Sequence, residues 1–300
     1  MSTARWPLKP TGTLRRLLIW AVILASWEGA YRLVHGISPR AWQPWNFPAP
    51  SHVLDAALSL LNIHTGFGNP IATPGWPLQH VEGQPQAGNW FHSIVTSQLV
   101  IANLVSLARL LVGFAISILV GGLIGLAMWR WKGLEEFLGP PLLGIQTLPS
   151  VCWVPLAILV LGINEPAILF VLVMGSFAAV AISLRDGLRM IPPLYPRAGM
   201  MLGAKGWRLY RYVLLPASLP ALATSLRQGF SFAWRSLMGA ELIFYIAPHG
   251  LGFLLQQGRD FSDIAEVVAV MIVMVVIGML ADRWVFAKIQ ARVQARFGLT

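Results

Sequence analysis

Along the chain, apolar runs of about twenty residues alternate with shorter, basic, polar stretches. A helix of that length crosses a hydrocarbon core about 30 Å thick. Six runs qualify: 14–34, 106–129, 140–162, 166–184, 216–246 and 265–286. The third is interrupted by Pro149 and Pro155, and the fifth is the most polar. This pattern predicts an all-α membrane protein with six transmembrane helices. The predicted organisation is a tail over 1–13, a first helix over 14–35, an outside region over 36–105, a five-helix core over 106–286 with a cytoplasmic loop at 186–215, and a tail over 287–300. The flank of Arg5, Lys9, Arg15 and Arg16 resembles the basic start of a signal peptide. The apolar run behind it is longer than a typical signal core, and no small-x-small cleavage pattern follows, so it reads as an uncleaved anchor.

Within the outside region, 65–88 is rich in glycine and proline and reads as irregular loop. The stretch 90–106 reads as an interfacial helix with His92, Thr96, Asn103 and Ser106 near one face. Trp42, Trp45, Phe47, Trp76 and Trp90 suit either the aromatic belt of a membrane surface or a docking protein.

Composition supports the membrane class. Of 300 residues, 56% are hydrophobic and only 11% charged, where a soluble domain carries about 25% charge. The net charge of +10 alone would also suit a nucleic-acid binder. Its placement decides otherwise. With the N-terminus in the cytoplasm, the inside segments hold Arg5, Lys9, Arg15, Arg16, Arg130, Lys132, Arg185, Arg189, Arg197, Lys205, Arg208, Arg211, Arg283, Lys288, Arg292 and Arg296. The outside keeps Arg32, Arg40, Arg109 at the start of the second span, and Arg259. That asymmetry is the positive-inside pattern. It accounts for the basic charge through the bilayer, predicts both termini inside, and removes nucleic acid as a partner. The single cysteine, Cys152, allows no intrachain disulfide and reads as a small core residue.

Enzyme signatures are missing. No G-x-x-x-x-G-K-[ST] phosphate loop occurs; GAKGW at 203–207 has neither the spacing nor the hydroxyl. There is no H-E-x-x-H, no G-x-S-x-G, and the six histidines (35, 52, 64, 80, 92 and 249) are scattered. The expectation is a non-enzymatic chain with no metal and no cofactor of its own.

The basic stretch between the fourth and fifth runs carries the most specific signal. Arg197-Ala198-Gly199, then Gly203, then Val213-Leu214-Leu215-Pro216 resembles the E-A-A…G…I-x-L-P loop of the permease subunits of bacterial ABC importers. The stretches 47–58, 107–129, 148–170 and 203–222 resemble the nitrate/sulfonate/taurine/bicarbonate permeases in particular, and the likeness covers most of 45–290. The resemblance implies a type I importer fold working as a homodimer in the bacterial inner membrane. It implies two partner ATPase subunits that bind ATP and Mg, and a periplasmic substrate-binding protein. It also implies that Arg197, Ala198, Gly199, Met201, Gly203, Ala204 and Lys205 form the coupling helix that docks on the ATPase. Ala198, Gly199, Gly203 and Ala204 would give that helix a small-residue face for close approach, with Met200, Met201 and Leu202 adding apolar contacts. Two positions depart from the pattern: Arg197 stands where the family often has Glu, and Gly199 where it has Ala.

In the fifth run, Thr224, Arg227, Gln228, Ser231, Trp234, Arg235 and Glu241 fall within an arc of about 140° at 100° per residue. Leu226, Phe230, Ala233, Leu237 and Ala240 occupy the opposite side. An arginine at mid-span costs at least about 2.5 kcal/mol against lipid, so the arc should face protein or a cavity. Two readings fit. Arg227 or Arg235 could pair with Glu241, Asp186 or Asp282 and hold the bundle together. Alternatively, the arc could line the translocation pathway of a small anionic solute, an organic sulfonate such as taurine before nitrate or bicarbonate. A secondary transporter or channel without an ATPase is the rival class; it calls for inverted repeats, and none is evident.

Overall fold

In the computed structural model, residues 11–37, 48–61, 94–244 and 246–296 are described, and every element among them is helical. They form two compact units: residues up to 98 together with 257–271, and 99–256 together with 272–296. The loop 65–88, the aromatics Trp42, Trp45, Phe47, Trp76 and Trp90, His92 and the outermost tails lie outside the described residues.

The first unit holds α1 (Thr11–Ile37) and α2 (Pro50–Leu60). Leu18, Ile19, Trp20, Val22, Ile23 and Leu24 of α1 are exposed, as an apolar anchor requires. Pro50 opens α2 from the first turn, where its missing N–H is not needed. The free N–H of Ser51 instead donates to Glu28 Oε2 of α1 at 3.3 Å, and the Ser51 hydroxyl donates to the same carboxylate. Glu28 thereby satisfies a donor that the helix start leaves open. Tyr31 meets His52 edge-on at 5.5 Å.

The second unit is built around α6 (Glu165–Arg189), 67% of whose apolar window is buried. Asn164 caps it by accepting from Ala167 N at 3.1 Å. Against it lies α3 (Gln98–Arg130) along Gly113, Ser117, Gly121 and Gly125, a small residue every fourth position. Such a seam lets two helix backbones approach closely. A Cβ on Gly121 would collide with the Phe177 carbonyl oxygen, and one on Gly125 would lie 2.5 Å from that of Ala181. Ser117 and Ser176 share a hydroxyl hydrogen bond of 2.7 Å within this seam. On another side of α6 runs α8 (Leu215–Ile243), where Gly187 leaves room for Ala221 and Gly175 for Ser236.

The third expected span, 140–162, is not one straight helix. α4 (Lys132–Thr147) and the 3₁₀ turn Ser150–Trp153 leading into α5 (Val154–Leu161) meet at 103°. The two prolines act differently. Pro149 forces Leu148 into an extended conformation (ψ 126°) and ends α4. Pro155 sits in the first turn of α5, where it is tolerated. Pro140 and Pro141 lie inside α4, which continues past them.

The second span also starts earlier than expected. Thr96 and Ser97 form a turn, and α3 begins at Gln98, so Asn103, Ser106 and Arg109 belong to the long helix rather than to an interfacial one or an outside loop. Among the described residues, α3, α6 and the segment Ile264–Val293 qualify as spans by length and apolarity, and the bent α4–α5 pair makes up to four. That last segment comprises α10 (Ile264–Leu280), a π-helical turn (Ala281–Phe286) and the start of α11 (Ala287–Arg296). α8 is a continuous 29-residue helix whose polar content keeps it out of this apolar set. The remaining elements are α7 (Leu194–Met201), a single helical turn (Trp207–Leu209) running into a π-helical turn (Tyr210–Leu214) that enters α8, and α9 (Leu251–Asp260).

Candidate translocation stripe and coupling surface

The arc expected on α8 divides into two. Thr224, Gln228, Ser231 and Arg235 are exposed and form one line along the helix. The Thr224 hydroxyl donates to Pro220 O at 3.1 Å and that of Ser231 to Arg227 O at 3.2 Å. Arg235 Nε donates to Ser231 O at 3.1 Å, and its guanidinium lies 4.6 Å from the Phe232 ring centroid. Among the described residues Arg235 has no carboxylate partner. The line ends toward the helix C-terminus at Gly239, where the α4–α5 bend sits close: a Cβ there would be 3.2 Å from Val151.

Of the residues placed on the same arc by sequence, Trp234 and Glu241 turn inward, and half-exposed Arg227 reaches aside to a neighbouring element. Arg227 donates to both Asp282 oxygens, at 2.6 and 2.7 Å, and to Gln290 Oε1 at 3.2 Å. Such a two-pronged contact fixes geometry as well as charge. Trp234 is buried, stacked on Phe230 at 6.5 Å, with its indole nitrogen beside Gly278. Of the two uses foreseen for the arginines, Arg227 takes the pairing one, with Asp282. Asp186 serves neither; it pairs with Arg185 at 2.6 Å. The expected apolar side is well placed, with Phe230, Ala233, Leu237 and Ala240 all buried.

Glu241 leads to a cluster that periodicity did not single out. Arg109, only 7% exposed, donates through Nη1 to Glu241 at 2.9 Å. It also makes a two-pronged contact with Glu165, through Nε at 2.9 Å and through Nη2, and donates to Pro248 O at 2.8 Å. Glu241 further accepts from the Ser106 hydroxyl at 2.7 Å and from Gly252 N at 3.1 Å. Leu251 N donates to Ser106 Oγ at 2.9 Å. One arginine thus faces two carboxylates. The remaining negative charge is met by the Ser106 hydroxyl and by the Gly252 N–H at the start of α9, the end of a helix that favours an anion. Gly250 and Gly252 allow this, because a Cβ on either would strike Glu241. The available signal was scarcity: Arg109 and Glu241 are among the few charges embedded in apolar runs, and a buried charge needs a partner.

The stretch expected to couple to an ATPase folds as α7 and the cap that follows it, with its faces arranged differently from expectation. Gly199 is buried, and a Cβ there would come within 2.8 Å of Val213 and 2.9 Å of Leu209. It therefore packs against the protein's own π-helical turn and belongs to no outward small-residue face. Gly203 is exposed, with φ +81° and open space around it. It ends α7: Gly203 N donates to Met200 O at 3.0 Å and Ala204 N to Gly199 O at 2.9 Å, the paired bonds of a Schellman cap. Arg197, Ala198 and Lys205 are exposed and Ala204 is half-buried. The segment exposes bulky apolar groups: Met201 and Leu202 are each 88% exposed, and Leu194, Trp207 and Tyr212 are largely exposed too. Among the described residues no group of His, Cys, Asp and Glu is arranged to hold a metal.

Comparison with known proteins gives a consistent picture. The family model described as "Binding-protein-dependent transport system inner membrane component" matches residues 113–294. The taurine transport system permease protein TauC of Escherichia coli is 28% identical over 278 residues, 93% of this chain and 88% of its own length. The nitrate import permease protein NrtB of Synechocystis is 28% identical over 180 residues, 60% of this chain and 65% of its own. In fold, the chain is similar to an amino acid ABC transporter crystallised with histidines, at a TM-score of 0.51 and 19% identity, over 66% of this chain and 93% of that one.

Proposed function

Because this chain belongs to the family of binding-protein-dependent transport system inner membrane components, we propose that it is the permease subunit of an ATP-driven importer of a small anionic solute. An organic sulfonate such as taurine is the first choice, with nitrate and bicarbonate as alternatives. In this reading two copies pair, each with six spans and both termini in the cytoplasm. Two partner ATPases dock on the α7 surfaces, and a periplasmic protein delivers the solute. The pathway opens outward and then inward as the ATPases close and part.

The observation that carries this reading is the exposed polar line Thr224, Gln228, Ser231 and Arg235 on a long helix of a membrane protein. Facing lipid, Arg235 alone would cost at least about 2.5 kcal/mol. Facing a water-filled path it supplies a positive charge, with hydroxyls and an amide beside it, which suits an anion. The groups are spread along the helix rather than gathered around one point. They favour passage over tight holding, and selectivity then rests with the delivering protein.

Reconstitution with the partner ATPase and binding protein tests this. ATP-dependent uptake of labelled taurine is expected, compared against nitrate and bicarbonate, and should fall at least tenfold in Arg235→Gln and in Ser231→Leu with the ATPase still bound. Uptake by the permease alone, without ATP, would instead favour a secondary transporter. Normal uptake in both variants would make the line a structural seam.

A further inference from the structure

α8 is held by ionic contacts at two levels, both on one flank. Arg227 is bound to Asp282 on the π-helical turn after α10. Glu241 is bound to Arg109 of α3 and to the start of α9. The two positions are fourteen residues apart, about 21 Å along the axis at 1.5 Å per residue. Around the axis they lie about 70° and 110° from the midline of the exposed polar line, on the same side of it. α8 already rests on α6 through Ala221 and Ser236, and a single ionic contact would add one anchor beside that packing. Two, so far apart and about 40° apart around the axis, resist both tilt and roll of the helix.

We infer that Arg109 and Asp282 are positioning residues for transport: through Glu241 and Arg227 they set the rotation of α8 that presents Gln228, Ser231 and Arg235 on its open face. This rests on the reading of that line as the translocation pathway.

The chemistry of the two contacts suits the task. Arg109 is nearly fully buried and uses donors from all three of its nitrogens, in three directions. A planar guanidinium does this where a lysine cannot. Its partners come from separate elements: Glu165 at the start of α6, Glu241 near the end of α8 and Pro248 before α9. Rolling α8 would pull Glu241 from both Arg109 and Gly252 N and leave buried charge unpaired, which is strongly disfavoured. At the other level, the π-helical turn carries Asp282, while Gln290 of α11 reaches the same arginine. An extra residue in a helical turn shifts the register of the residues beyond it; Asp282 lies within that turn and Gln290 beyond it.

The test reads the rotation directly. In a Cys152→Ala background, Ser231→Cys is introduced and the assembled permease–ATPase complex is treated with a membrane-impermeant maleimide in inside-out vesicles. Labelling is measured per assembled complex, so a loss of folded protein does not count. With Arg109 and Asp282 intact, position 231 should label readily. Adding Arg109→Gln should lower its rate at least fivefold, Asp282→Asn should do likewise, and Arg109→Lys should not restore it. Unchanged labelling in assembled Arg109→Gln and Asp282→Asn complexes overturns the inference. If Arg109→Gln does not assemble, Ser106→Ala, which removes one donor to Glu241 and the acceptor for Leu251 N, decides instead. A twofold or greater fall supports the inference, whereas no change, or loss of assembly there too, makes the cluster a folding seam and overturns it. Failure of position 231 to label with both contacts intact would sink the pathway reading instead, a result distinct from the others.

Discussion

Gly203 sits at φ +81°, a conformation that costs a residue with a Cβ about 1–2 kcal/mol. Its two neighbouring hydrogen bonds close the end of α7, so the residue is required for shape, and the space around it is free. Replacement effects should therefore follow backbone preference rather than size. Gly203→Asn is expected to be mild, and Gly203→Ala to loosen the cap by about tenfold in amide exchange at Gly203 and Ala204, since about 1.4 kcal/mol is a factor of ten. Gly203→Val should be worse than Ala, because a β-branched residue is least at home there. Equal exchange in all three would remove the cap argument. Gly199 obeys the opposite rule: its limit is Val213 and Leu209, so size matters there. Sequence places both glycines on one outward face. It shows that a glycine is present but not whether the backbone or a neighbour demands it, and here the two reasons divide between adjacent turns.

Helices are the scale at which the chain is most legible, and also where one pattern is only partly resolved. Apolar runs mark α3, α6 and α10 because a helix in lipid or in a protein core must hide its backbone and show carbon. Apolarity alone cannot separate a straight span from two short helices at an angle; for 140–162 the prolines supply what it lacks, since Pro149, read as an interruption, is where the chain bends by 103°. Amphipathic patterning on α8 gives its buried side correctly. It cannot tell which polar residues at the arc's edge find partners, because Asp282 and Arg109 approach from distant parts of the chain. The small-residue seam of α3 is a pattern of this scale that supports a sharp expectation. Gly121→Leu should abolish monodisperse permease, since its side chain meets a carbonyl oxygen of α6 that cannot rotate away. Gly122→Leu, with nothing within 4 Å, should behave as the unmodified protein in size-exclusion chromatography. Equal behaviour of the two would mean that α3 and α6 do not pack through this seam.

For the whole molecule, the charge distribution and the α7 surface bear on one question: what covers the exposed Met201, Leu202 and Trp207. Large apolar groups this exposed are unusual unless lipid or a partner meets them. Lipid does not fit well, because the same segment carries Arg197, Lys205, Arg208 and Arg211, charges that positive-inside placement puts in the cytoplasm. A cytoplasmic protein with an apolar groove fits both features, and the ATPase of the proposed importer is the partner we propose for it. Arg197 stands at the edge of the surface, exposed and without an ion pair among the described residues. An acidic rim on the groove would therefore complement it. One labelling experiment addresses both the side of the membrane and the covering partner. In a Cys152→Ala background, Lys205→Cys should resist an impermeant maleimide in intact cells and react in inside-out vesicles stripped of the ATPase. Adding the ATPase back should slow that reaction several-fold, and Met201→Asp with Leu202→Asp should cancel the protection by preventing docking. Labelling in intact cells would reverse the topology. Labelling in vesicles that the ATPase does not slow would leave the apolar surface to some other partner, and would remove α7 as the point where hydrolysis is coupled to transport.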